Sequence, residues 1–132
     1  MGVSNTTENN TLDYVFRGVG TNPLATQFLA LHTADPGEAG SLVAEVSGGS
    51  YARVAITPST FWNPASGGMI SNAAAQEFPQ ATGSWGTVTH FSLCSASSGG
   101  NVLASGALSA GVAFGSGDTP RFSAGQLVFT LD

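Results

Sequence analysis

Hydrophobic and polar positions alternate along most of this chain in short stretches cut by glycine and proline. Residues 26–33 (TQFLALHT) form an apolar run between Pro23 and the Asp35-Pro36-Gly37 turn. Residues 51–57 (YARVAIT) place Ala52, Val54 and Ile56 on one side and Tyr51, Arg53 and Thr57 on the other. Residues 86–96 are rich in β-branched and aromatic residues. They alternate between a Thr87, Thr89, Phe91, Leu93 face and a Val88, His90, Ser92, Cys94 face. Ser98-Gly99-Gly100-Asn101 then marks a hairpin turn into a strand over 102–108, and Gly115–Asp118 marks a further turn. In the last segment, 126–131, Leu127, Phe129 and Leu131 share a face opposite Val128. Residues 69–78 fit a strand, although Ala73-Ala74-Ala75 equally suits a helix. A period of two with frequent punctuation predicts strands packed face to face.

One stretch has a different period. Leu12, Val15, Phe16 and Val19 recur at i, i+3, i+4 and i+7, which predicts a helix over 11–18 with one apolar face. Asn10 would cap it, Asp13 would favour its first turn, and Gly18 and Gly20 would end it. Residues 1–10 read as a polar N-terminal arm. The expected fold is all-β: a single domain, 1–132, with an antiparallel β-sandwich or barrel over 25–132 and one short N-terminal helix. Several strands are apolar on both faces. The second face therefore meets the helix and loops, or a neighbouring chain.

Composition adds a restriction. Of the 132 residues, Gly (18), Ser (16) and Thr (13) make up over a third. Only 8% are charged, none is lysine, and the net charge is −5. Arg17, Arg53 and Arg121 are the three cations. Nucleic acid and anionic membranes both demand clustered cations, so neither is an expected partner. No apolar run reaches the length of a membrane span, and Met1–Thr11 lacks the features of a secretory signal. Assembly in a cytoplasm is expected. A surface so poor in charge suits a protein packed against other subunits.

The candidate chemistry is sparse. His32 precedes Asp35 and Glu38 in one loop, which could form a metal or acid–base site. The simpler reading is a histidine that closes a strand beside an ordinary turn. His90, mid-strand, is expected to be buried or half-buried with one satisfied nitrogen. No G-x-S-x-G elbow is present, and the glycine pairs are not followed by Lys-Ser or Lys-Thr. Cys94 reads as a small strand hydrophobe, and as the lone cysteine it excludes an internal disulfide. Glu45 and Glu77 could meet as a carboxylate pair, but any two strand residues could. No catalytic residue, metal or cofactor is expected. Phe61-Trp62, between Pro58 and Pro64, is either an exposed anchor or a flap over one end of the core. Trp85 is assigned to the core. The candidate partner contacts are Tyr14, Phe16, Arg53, Phe61, Trp62 and Arg121, because aromatic and arginine side chains dominate interface energetics.

Several segments, in order, resemble a family of small bacteriophage virion proteins often labelled tail fibre proteins. They are residues 31–37 (LHTADPG), 48–53 (GGSYAR), 83–91 (GSWGTVTHF), 106–108 (GAL) and 117–127 (GDTPRFSAGQL). The resemblance covers about residues 11–132. It implies a β-rich virion component without enzymatic activity, with the major capsid protein or other virion proteins as partners. In such a module Arg53 and Arg121 would pair with loop carboxylates such as Asp35 or Asp118. The leading expectation is a decoration or cement protein on the outside of the phage head, as a homotrimer. The alternative is a tail fibre or tail-associated adhesin, and a small carbohydrate-binding module is the third reading.

Overall fold

The computed structural model describes residues 2–20 and 26–131. The boundary expected at Pro23 and the start of the sandwich at 25 lie outside them. The elements are β1 (Gly2–Val3), α1 (Asn5–Leu12), which runs on as a π-helical turn (Asp13–Arg17), β2 (Gln27–His32), β3 (Val54–Ile56) and α2 (Pro58–Phe61). They continue with β4 (Met69–Ser71), β5 (Gln76–Glu77), β6 (Gly86–Cys94), β7 (Val102–Phe114), β8 (Arg121–Phe122) and β9 (Val128–Thr130). The protein is mostly β, with antiparallel sheets and one N-terminal helix, in agreement with the expected fold class.

Five strands form one antiparallel sheet in the order β1-β7-β6-β2-β3, and β4-β9 and β5-β8 form two ribbons. The main core lies between them. Leu29, Leu31, Phe91, Leu93 and Ala104 of the sheet meet Phe78, Phe122, Leu127 and Phe129 of the ribbon side. Phe91 packs edge-on against Phe129 at 5.1 Å between ring centres. That approach requires Gly106, since a Cβ there would lie 2.6 Å from the Phe91 ring. The opposite face of the sheet carries a smaller cluster of Ala30, Cys94 and Val102, with Phe28 and Leu42 packed on it.

The long central hairpin follows from its sequence. β6 pairs with β7 from Cys94↔Val102 to Gly86↔Phe114 around the Ser98–Asn101 turn. Register shifts occur between Val88 and His90 and between Leu93 and Cys94. The first shift changes the phase of the strand, so Val88 joins Phe91 in the main core instead of sharing a face with Ser92. β7 also runs on to Phe114, beyond the expected end at Leu108. Residues 69–78 form two short strands separated by a bend, with no helix at Ala73–Ala75. Leu131, past the end of β9, is exposed and does not share the burial of Leu127 and Phe129.

The N-terminus differs most from expectation. Residues 2–3 are a strand on β7, and the helix begins at Asn5, so there is no free arm over the described part of 1–10. Ser4, not Asn10, is the cap: its hydroxyl accepts from the Thr7 N–H at 3.4 Å. Gly18 does end the helical segment, in the left-handed conformation at φ 66°. The apolar face at 12–19 is not turned into the core. Leu12, Tyr14, Val15, Phe16 and Val19 are 46–79% exposed.

Candidate interaction surface

Two regions carry unusual chemistry. The first is a polar network within the sheet. Arg53 makes a bidentate pair with Glu45, Nε to Oε2 at 2.8 Å and Nη2 to Oε1 at 2.7 Å. Its Nη1 donates to the carbonyls of Ala96 (2.8 Å) and Gly99 (2.9 Å) in the β6–β7 turn. Tyr51 Oη donates to Glu45 Oε2 at 2.8 Å and accepts the Leu31 N–H at 3.0 Å. The Arg53 side chain is 3% exposed and that of Glu45 15%. Burial pushes the Glu45 carboxyl up, but the hydrogen bonds from Arg53 and Tyr51 outweigh it and hold the group below the ordinary carboxylate value. The Glu45 hydrogen bond raises the Arg53 guanidinium further, and burial pushes the Tyr51 phenol well up.

The partner of Arg53 is therefore Glu45, not Asp35 or Asp118. Asp35 and Asp118 instead accept backbone N–H groups of Gly37 and Gly115 in their own turns. Arg121 stands opposite Glu77 across the β5-β8 ribbon, exposed and without an ion pair among the described residues. Glu45 and Glu77 do not form a carboxylate pair, because Glu45 is occupied by Arg53 and Tyr51.

His32 ends β2 and is fully buried. Its Nε2 lies 2.7 Å from Ser92 Oγ, which in turn lies 3.4 Å from Cys94 Sγ. Its Nδ1 has no hydrogen-bond partner. Burial drives the imidazole down to about 4, so it is neutral at pH 7. Burial also pushes the Cys94 thiol up. Histidine, serine and cysteine in a row suggest a nucleophile. However, His32, Ser92 and Cys94 are all 0% exposed and open to no substrate. His90 is half-buried, with Nδ1 2.8 Å from Thr89 Oγ1. Among the described residues no group of three His, Cys, Asp or Glu could hold a metal ion.

The second region is the N-terminal helix and the ground beneath it. α1 (NTTENNTL) buries no residue. Among the described residues it is pinned at its start: Ser4 N–H and Thr7 Oγ1 both donate to Leu103 O at 2.8 Å, and Asn5 N–H donates to Glu38 O at 3.0 Å. Between the helix and the sheet lies an open groove of about 710 Å³. Val3, Ile70, Leu103 and Trp62 contribute apolar surface, Asn10 and Tyr14 come from the helix, Asn101 comes from the β6–β7 turn, and no charged residue lines it among those described.

The six candidate contacts separate between these regions. Tyr14 lines the groove and Phe16 projects beyond it, 68% and 79% exposed. Trp62 is half-buried, donates from Nε1 to Gln27 Oε1 at 3.1 Å, and packs on Phe61 and Phe129. Phe61 is buried beneath it. Arg53 lies inside the network and Arg121 on the far ribbon. Trp85 is in the core, as expected, with Nε1 donating to Gly49 O at 2.9 Å. Leu12, Val15 and Val19 are exposed on the same segment as Phe16 and belong to the apolar face that the helical period predicts. Asn72 was not singled out. Fully buried, it donates to the Ala74 and Ser123 carbonyls at 2.8 and 3.0 Å and accepts the Leu127 N–H at 2.9 Å.

The model of the family described as "Podophage GP4 fiber I protein gp80" matches residues 2–130. The chain belongs to this family. It is a structural protein of the phage virion, a fibre protein and not an enzyme. The match bears out the resemblance to small virion proteins labelled tail fibre proteins. Its fibre description favours the tail alternative over head decoration. No curated protein matches the chain.

Proposed function

We propose that this fibre protein is a tail fibre component of a podophage, held in place by protein–protein contacts. The observation that carries the reading is the fibre-family match over residues 2–130. The physical character of the chain supports it. With 8% charged residues and an exposed apolar helix end, the surface suits neighbouring protein more than open solvent. Other virion proteins are its partners, and a homotrimer is the assembly we favour. The low charge and apolar surfaces that suggested a head cement would serve any virion subunit, so they give decoration no advantage. Immunogold electron microscopy of intact particles tests the reading. Label confined to the tail is expected; label spread over the head would restore the decoration role.

A further inference from the structure

We infer that the apolar helix end of one copy (Leu12, Val15, Phe16 and Val19) seats in the groove between α1 and the sheet of a second copy. This names the self-contact surfaces and rests on the oligomeric part of the function proposed above.

The first argument is the cost of exposure. Four apolar side chains within eight residues, 46–79% exposed, form a patch that no described residue of their own chain covers. Among the described residues the hydrogen bonds that tie the helix to the body are near its start, and the patch lies at its far end, in the π-helical turn over Asp13–Arg17 that Gly18 closes.

The second argument is the match between patch and groove. The groove is concave and mostly apolar, and its described lining residues bear no charge. The only charges on the patch segment, Asp13 and Arg17, neutralise each other through a 3.1 Å pair. Two copies at net charge −5 repel each other, so a contact free of net charge on both sides is the one that brings them together at least cost. Aromatic side chains bury roughly 150–250 Å² each. Phe16 with the three aliphatic residues thus supplies a substantial share of the roughly 800 Å² per partner of a standard interface.

The third argument is geometric. Patch and groove are different surfaces, so the contact pairs one with the other, reciprocally in a two-fold dimer or in succession around a ring. In the ring each copy keeps a free patch and a free groove until it closes. A closed ring such as a trimer is therefore compatible with it, and a two-fold patch-to-patch dimer is not.

The test uses the full chain with Arg17→Cys beside the patch, or Asn101→Cys on the groove wall, and a short bis-maleimide. Buried Cys94 is spared. Mixed variants should give the cross-linked pair, and neither should cross-link alone. Phe16→Asp should reduce the native mass to one chain, with an unchanged far-UV spectrum. The inference is overturned by Arg17→Cys cross-linking to itself, by an oligomer that survives Phe16→Asp, by an oligomer with no mixed product, or by a wild-type chain that is monomeric at tens of micromolar. The last outcome would assign the patch to another virion protein and leave a tail location found by immunogold intact.

Discussion

The Arg53–Glu45–Tyr51 network and the N-terminal helix end invert the usual rule in opposite directions. One places an ion pair inside the sheet, and the other places five hydrophobic side chains outside it. The buried ion pair is closed. The five Arg53 and Tyr51 hydrogen bonds to Glu45, Ala96 and Gly99 leave no obvious request for a ligand. The helix end is open, with apolar surface that no described residue of its own chain covers. A satisfied inversion is structural and an unsatisfied one points to a partner. This distinction separates the two regions better than residue type does, since Arg53 and Phe16 were equal candidates for partner contact on composition.

The largest effect expected on the closed side comes from Arg53→Ala. It strands Glu45 and frees two turn carbonyls, and loss of one member of a buried pair costs about 3–5 kcal/mol. Urea unfolding should show it as a lower midpoint at unchanged slope. A loss under 1 kcal/mol would mean that the network is not a structural clamp.

Acid should act on the same region. His32 titrates near 4 in the fold against 6.5 when unfolded. The unfolded chain therefore binds more protons between those values, and stability falls as pH drops from about 6.5 towards 4. The loss at the bottom of that window is roughly 3 kcal/mol. Glu45, held below its ordinary value, adds a further loss on the acid side of about pH 4.5. His32→Gln should flatten the upper part of the profile. An unchanged slope between pH 6.5 and 4.5 would remove His32 from the account.

Asn72→Ala leaves two carbonyls and one N–H unpaired in the interior. Its cost should be about 2–3 kcal/mol by the same unfolding measurement. Gly106→Ala pushes a methyl into the Phe91 ring and should cost about 1–3 kcal/mol. Phe16→Asp, on the open side, should change the stability of a single chain by less than about 0.5 kcal/mol.

Much of the fold was legible because period-two patterning and turn chemistry agree. The β6–β7 hairpin is the clearest case: alternating β-branched residues flank Ser98–Asn101, and the strands pair around that turn. The phase change at Val88 was hidden, because a bulge leaves no trace in alternation until the strands are paired. α1 was hidden for another reason. NTTENNTL has no apolar period, and its helix depends on the Ser4 cap and on Leu103 and Glu38, far along the chain. The helical period at 12–19 reads as an apolar face and the residues there are exposed, since periodicity reports that a face needs burial but not by what. Arg53 was recognised as a cation needing a carboxylate. Its partner was missed because Glu45 lies in an irregular segment whose course only the folded chain reveals.

The central claim is that this fibre protein works by seating its exposed helix end against protein, and self-association is where the claim is most exposed. Sedimentation equilibrium of wild type and Phe16→Asp at the same concentrations tests it most directly. The account predicts a multiple of the 13.2 kDa chain mass for wild type and a single chain mass for the variant. Equal masses for the two proteins would contradict it.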